Sequence, residues 1–145
     1  MGKLRHIAIA VANTDEAAKF YEQAFGMTRV RQSTSSVMLT DGVISLAILD
    51  NKTSPEAAGH NGLHHVGFIA DDVADAGAKA ETSGATYADS AERVAKRFAN
   101  RGQLKDGQLT LDAQQQAQQK YVDPNGIKFD IVNPLHARNS WRLPV

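Results

Sequence analysis

The sequence predicts an α+β fold: two βαβββ modules whose mostly antiparallel, curved sheets enclose a pocket. Three observations lead there. The apolar run Leu4-Arg5-His6-Ile7-Ala8-Ile9-Ala10-Val11 has a counterpart in Leu63-His64-His65-Val66-Gly67-Phe68-Ile69-Ala70, which places His6 opposite His65, 59 residues apart. Each run leads into a segment with helix start and stop signals. Each helix is followed by short strand-like runs separated by turn signals, so helices back sheets rather than alternate with them one for one.

The elements follow in order. In the first helix, Asn13 or Thr14 serves as the cap, Glu16 stands three residues after Asn13 as in a capping box, and Gly26 is placed to end the helix in a left-handed conformation. Ala17, Phe20, Tyr21 and Ala24 form its apolar stripe. Strands are then expected at Thr28–Ser33, Ser36–Thr40 and Val43–Leu49, with Asp41-Gly42 as the hairpin turn. Residues 50–62 read as a linker between the halves. The second helix starts at Asp71 or Asp72, presents Val73, Ala76, Gly77 and Ala80, and ends at Gly84. Ala85–Ala88 has strand character, and Tyr121-Val122 and Ile127–Val132 flank the turn Asp123-Pro124-Asn125-Gly126. Between them, Val94, Ala95, Phe98 and Ala99 have helical spacing, whereas the glutamine-rich stretch that ends at Gln118 and Gln119 has no period. The expected organisation is one domain over residues 1–135, its modules at about 1–58 and 59–135. Residues 136–145 form a C-terminal surface extension, with Trp141 as the residue to dock it.

Composition narrows the function. A chain of 145 residues buries about 70% of its unfolded surface and needs no disulfide or metal merely to hold a core. Sixteen basic residues balance sixteen acidic ones, and the basic excess of a nucleic-acid binder is missing. There is no cysteine, which excludes disulfides, thiolate metal sites and a cysteine nucleophile. No apolar run approaches the roughly 20 residues of a membrane span, and the N-terminal segment has no signal-peptide core, so a cytoplasmic location is the expectation.

The histidines carry the chemistry. Equivalent positions of two modules related by a pseudo-twofold axis meet near that axis, so His6 and His65 either face one cavity as metal ligands or sit as core histidines bonded to backbone carbonyls. Asp130 interrupts a strand that should be mostly buried. A buried carboxylate needs a partner, either a metal shared with the imidazoles or a Lys or Arg. His6, His65 and Asp130 together make a two-histidine, one-carboxylate set with open coordination positions. That set suits Fe(II) or Mn(II) better than a closed Zn(II) site. His64 is read as structural or interfacial, pointing to the opposite face from His65. His60 is a linker histidine that could serve as a proton carrier. Phe68, Phe129 and Met38 are assigned to the core, and Arg93, Lys96, Arg97 and Arg101 to a solvated face.

The segments RHIAIAVANTDEAAKFYEQAFGM, GLHHVGFIADDV and YVDPNGIKFDIV, spread over most of residues 4–133, resemble the vicinal oxygen chelate superfamily of glyoxalases, extradiol dioxygenases, epimerases and bleomycin resistance proteins. The resemblance implies paired βαβββ modules around one divalent metal to which substrate oxygens bind. His6 matches the first-strand ligand, His65 rather than His64 the ligand opening the second module, and Asp130 the last-strand position usually held by Glu. The fourth ligand of glyoxalases and epimerases falls at Ala47, which cannot bind metal. Tyr121 lies near the acid–base tyrosine of the extradiol enzymes. The resemblance therefore implies a metal-dependent enzyme on a small oxygen-bearing substrate, in first place a non-haem Fe(II) extradiol-type dioxygenase with Mn(II) or Zn(II) as other metals, acting as a homodimer. The alternatives are a metal-free small-molecule binder of the bleomycin-resistance type and a glyoxalase- or epimerase-like lyase or isomerase. The last would need a fourth ligand from elsewhere, and Glu56 is the one nearby acid to check.

Overall fold

A computed structural model describes residues 2–88 and 118–145. The expected helix around Val94–Ala99, the basic run from Arg93 to Arg101 and most of the glutamine-rich stretch lie outside the described residues. The fold is α+β, and the chain clusters into two compact units: Leu4–Gly67 with Ala137–Val145, and Met1–Lys3 with Phe68–His136.

The first unit opens with β1 (Lys3–Val11), α1 (Thr14–Phe25), β2 (Thr28–Gln32), β3 (Ser36–Thr40) and β4 (Ser45–Asp50), the βαβββ order read from the sequence. It continues into β5 (Gly62–Ile69), whose last two residues belong to the other unit. Its strands lie side by side in the order β2-β3-β4-β1-β5. The hairpin pairs β2–β3 and β3–β4 are antiparallel, and β1–β4 is parallel with His6 opposite Ser45 and Ala8 opposite Ala47. That parallel pair closes the module: α1 and the two hairpin strands are the connection that brings β4 back beside β1.

The ends of α1 are set by local chemistry. The Asn13 side chain accepts from the Glu16 backbone N–H at 3.0 Å. Gly26, at φ +66°, donates to the Glu22 carbonyl, and Met27 N–H reaches back to the Tyr21 carbonyl. The buried face differs from the predicted stripe. Ala17, Ala18 and Tyr21 pack with Val37, Leu39, Leu46 and Ile48, while Phe20 is 57% exposed and meets Tyr21 edge-on. Alanines at 17 and 18 let the helix approach the sheet closely, and the bulk of Phe20 is left outside that contact.

The opposite face of the same strands is lined by small residues. Ala8, Ala10, Ala47, Leu49 and Ala57 cluster there, with Met38 against them. His6 and Ser45 extend this face, because side chains two apart on a strand share a side.

The second unit contains α2 (Val73–Thr82), β6 (Thr86–Tyr87), β7 (Gln118–Val122) and β8 (Lys128–Val132). Here β8, β7 and β6 are neighbours in that order and pair antiparallel. Asp72 caps α2 by accepting from Asp75 N–H at 2.9 Å. Val73, Ala76 and Ala80 pack with Tyr121, Ile131 and Phe129. Gly77 is required by that contact: a Cβ there would collide with the Tyr121 hydroxyl and Gln119 Oε1. The turn before β8 is built as the sequence predicts, with Asp123 Oδ1 accepting from Asn125 and Ile127 N–H at 2.8 and 2.9 Å. Among the described residues the C-terminal tail forms one further helix, α3 (Pro134–Ser140), beyond which Trp141 and Leu143 are buried. Among the described residues no helix is long and apolar enough to cross a membrane.

Candidate functional site

Polar side chains concentrate at one end of the alanine-lined face of the first unit. His6, on β1, is buried, and its Nδ1 lies 3.0 Å from Ser45 Oγ on the parallel neighbour β4. Its ring stacks on Trp141, with centroids 4.3 Å apart and planes within 6°. Gly67 makes this stack fit. A Cβ at that position would come within 2.6 Å of Trp141 and 2.8 Å of His6 Cβ. His65, on β5, is buried with its ring centroid 5.3 Å from that of His6. The two histidines equivalent under the repeat are therefore neighbours.

Residues 50–62 do more than link the halves. Asp50 Oδ1 accepts from the backbone N–H groups of Lys52 and Thr53, which tightens the turn and holds the Asp50 carboxyl below its ordinary pKa, Thr53 contributing most. Ser54 N–H donates to the Asp50 carbonyl, Gly59 N–H to the Asn51 carbonyl, and His60 N–H to the Ala57 carbonyl. Ala57 is buried in the cluster with Ala8 and Ala47. This anchored loop carries Glu56 to the histidines. Its carboxylate, 45% exposed, lies 3.9 Å from His65 Nδ1, and its backbone carbonyl lies 3.0 Å from His64 Nε2.

His64 behaves differently from its sequence-based reading. Its Cβ diverges from that of His65, as on any strand, yet the Nδ1 edges of the two rings turn towards each other and stand 2.8 Å apart. The His60 ring meets His64 edge-on at 5.1 Å, while His60 Nε2–H donates to the Leu63 carbonyl at 2.7 Å. Glu56, His64 and His65 offer donor atoms that all lie within 4.8 Å of one another, the one such grouping of three or more among the described residues. Two imidazoles and a carboxylate form a donor set suited to a divalent first-row ion.

The remaining expected site residues lie in the second unit and have partners there. Asp130 on β8 is buried directly opposite Lys120 on β7, whose ammonium donates to both carboxylate oxygens at 3.0 and 3.1 Å. Of the two partners the sequence left open for Asp130, a lysine is present. Tyr121 is buried, stacks on Phe129 and donates its hydroxyl proton to Gln119 Oε1 at 2.8 Å. Burial, followed by the nearby Glu81 charge, pushes its phenol up to about 12. Ala47 is buried among apolar side chains, as its identity requires.

Sequence reasoning missed two participants. Ser45 was legible only as a polar residue inside an apolar run, and its place opposite His6 follows from the long-range parallel register. Trp141 was read as an anchor for the tail, and nothing local marks it as the stacking partner of His6.

A family model described as the Glyoxalase/Bleomycin resistance protein/Dioxygenase superfamily matches residues 3–131. No curated protein matches the chain. Solved structures with a similar fold include a methylmalonyl-CoA epimerase in complex with methylmalonyl-CoA and NH4+, 17% identical over 92% of this chain and 94% of that one, with a TM-score of 0.57. A methylmalonyl-CoA epimerase from Mycobacterium tuberculosis is 15% identical over 90% and 87%, with a TM-score of 0.58. A hypothetical protein from Bacillus halodurans C-125 is 14% identical over 91% and 94%, with a TM-score of 0.59. At these identities the likeness concerns the fold.

Proposed function

Because the chain belongs to the Glyoxalase/Bleomycin resistance protein/Dioxygenase superfamily, we propose that it is a divalent-metal-dependent isomerase or lyase that moves a proton next to a carbonyl of a small oxygen-bearing substrate. This is the epimerase-like alternative, preferred to ring cleavage by a dioxygenase. The observation that carries it is Glu56. The sequence lacks a fourth ligand or base at Ala47, and the loop delivers an accessible carboxylate to within 3.9 Å of His65 instead. The epimerase fold of the similar structures agrees with this choice.

His6 and His65 are the proposed imidazole ligands, and Asp130 keeps Lys120 as its partner. Mn(II) or Zn(II) serves this chemistry as well as Fe(II), which the dioxygenase reading alone favours. A bound ion supplies a Lewis acid for the substrate carbonyl oxygen. The chain's own residues handle the proton. Glu56 is the base that takes it, and His60, exposed at the rim of the cluster, exchanges it with solvent. Tyr121, with its phenol pushed up to about 12, is left out of proton transfer near neutral pH. One domain of two modules, a homodimer, a cytoplasmic location and a small-molecule substrate complete the proposal.

The test is exchange of the α-proton into deuterated water, measured on a panel of acyl thioesters and hemithioacetals beside oxygen uptake on catechols. Exchange that requires about one equivalent of metal and falls about 10²–10⁴-fold in Glu56→Gln is the expected result. Oxygen consumption with ring cleavage would instead restore the dioxygenase reading.

One observation favours a second reading, the metal-free binder. Asp130 already has a cation on both oxygens in Lys120. Protein that stays metal-free and catalytically silent while binding an aromatic ligand tightly would establish it.

A further inference from the structure

The bonds around His64 fix more than its own position. A backbone carbonyl can only accept, so His64 Nε2, 3.0 Å from the Glu56 carbonyl, carries a proton. In the neutral ring the other nitrogen, Nδ1, is then an acceptor. It stands 2.8 Å from His65 Nδ1, a hydrogen-bond distance that two lone pairs would not share, so His65 Nδ1 carries the proton between them. The Glu56 carboxylate, 3.9 Å from His65 Nδ1, adds negative potential on the same side and favours an N–H there. The relay runs from His65 Nδ1–H to His64 Nδ1, and from His64 Nε2–H to the Glu56 carbonyl.

We infer that His64 is a positioning residue that holds His65 as the Nδ1–H tautomer, so that Nε2 is the nitrogen His65 presents for ligation. This deepens the proposed function, on which the use of Nε2 as a ligand rests. The tautomer itself rests only on the hydrogen-bond chain. Such a relay does for His65 what a carboxylate or carbonyl on the second ring nitrogen does for a metal-binding histidine: it fixes ring orientation and the ligating atom. Ser45 engages the same nitrogen, Nδ1, of His6.

The experiment reads the tautomer directly. Metal-free, 15N-labelled protein at about pH 8, well above the ordinary imidazole pKa of ~6.5, is examined by long-range proton–nitrogen correlation of its five histidines. The wild type is expected to show His65 protonated at Nδ1 and bare at Nε2. His64→Phe keeps a ring but removes the acceptor, and the ratio of the two His65 tautomers should move towards Nε2–H by about tenfold, the worth of one net hydrogen bond. His64→Asn, whose amide oxygen takes the place of Nδ1, should hold the wild-type ratio. His65 protonated at Nε2 in the wild type overturns the inference, as does a ratio unchanged in His64→Phe. Should His64→Phe fail to fold, the wild type and His64→Asn still decide. Neither metal nor substrate is present, so a silent activity panel leaves this result standing, and a reversed tautomer leaves the proton-transfer reading to its own test.

Discussion

Asp130 is a strand carboxylate with one lysine across both its oxygens; Glu56 is a loop carboxylate, 45% exposed, beside an imidazole. The contrast extends to the units that hold them. Among the described residues of the second unit, two buried ionisable groups have partners on their own ladder, Asp130 with Lys120 opposite it and Tyr121 with Gln119 on the same strand face. Beside its surface ion pairs around Arg29, the first unit holds a chain in which Glu56, His64 and His65 touch in sequence and His6 and His60 lie alongside. Pairing satisfies charge locally and makes structure. Chaining leaves accessible ends, and one of them is the Glu56 carboxylate that the proposed proton transfer uses.

The comparison breaks most readily at Lys120. Replacing it with Met takes the Lys120 charge from a buried carboxylate, and a loss of about 3–5 kcal/mol in denaturant unfolding is expected. Combining Lys120→Met with Asp130→Leu removes both charges and should recover most of that loss. Glu56→Gln, on an exposed side chain, should change stability by less than ~0.5 kcal/mol. A Lys120→Met variant as stable as the wild type would mean that Asp130 draws its main support elsewhere, and the distinction between the units would fall.

How much of this was legible follows from the range of the interactions. The left-handed Gly26 and the Asp123 turn are decided within a few residues and the sequence states them, while it narrows each cap to two neighbours, of which Asn13 and Asp72 are used. The meeting of His6 and His65 was legible because the repeat carries long-range information within one chain. Asp130 announced that it needed a partner, but Lys120 is assigned by the antiparallel register of β7 and β8, which local pattern does not encode. Glu56 was visible only as a nearby acid. Its delivery depends on Ala57, a small residue in a polar stretch, being buried against Ala8 and Ala47. Phe20 was misplaced because helical spacing leaves the stripe's centre open by about one residue, and the closeness permitted by Ala17 and Ala18 settled it.

A second effect belongs to the chained unit. Gly67→Ala would drive a methyl into Trp141 and His6, with 2.6 and 2.8 Å to the nearest atoms. Both rings are held, Trp141 by its stack and His6 by Ser45, so neither can step aside cheaply. A loss of about 1–3 kcal/mol is expected, as for other overpacked sites. Trp141 is the sole tryptophan, so its fluorescence reports the displacement without interference. Unchanged emission and stability would show that the stack on His6 is loose, and that the first unit tolerates rearrangement around its histidines.

The smallest effect tests the paired unit by pH. Burial raises the Tyr121 phenol from its ordinary 10.0 to about 12, so the folded chain keeps that proton after the unfolded chain has released it. The associated stability is fully present below about pH 10 and is lost as pH climbs towards 12. At pH ~11 the loss is on the order of 1 kcal/mol, one pH unit's worth at 25 °C. Tyr121→Phe forfeits the bond to Gln119, costing about 1 kcal/mol at neutral pH, but it should flatten this alkaline limb. If the limb survives Tyr121→Phe unchanged, the alkaline sensitivity belongs to another group, and Tyr121 is not the tied-off phenol that its bond to Gln119 makes it.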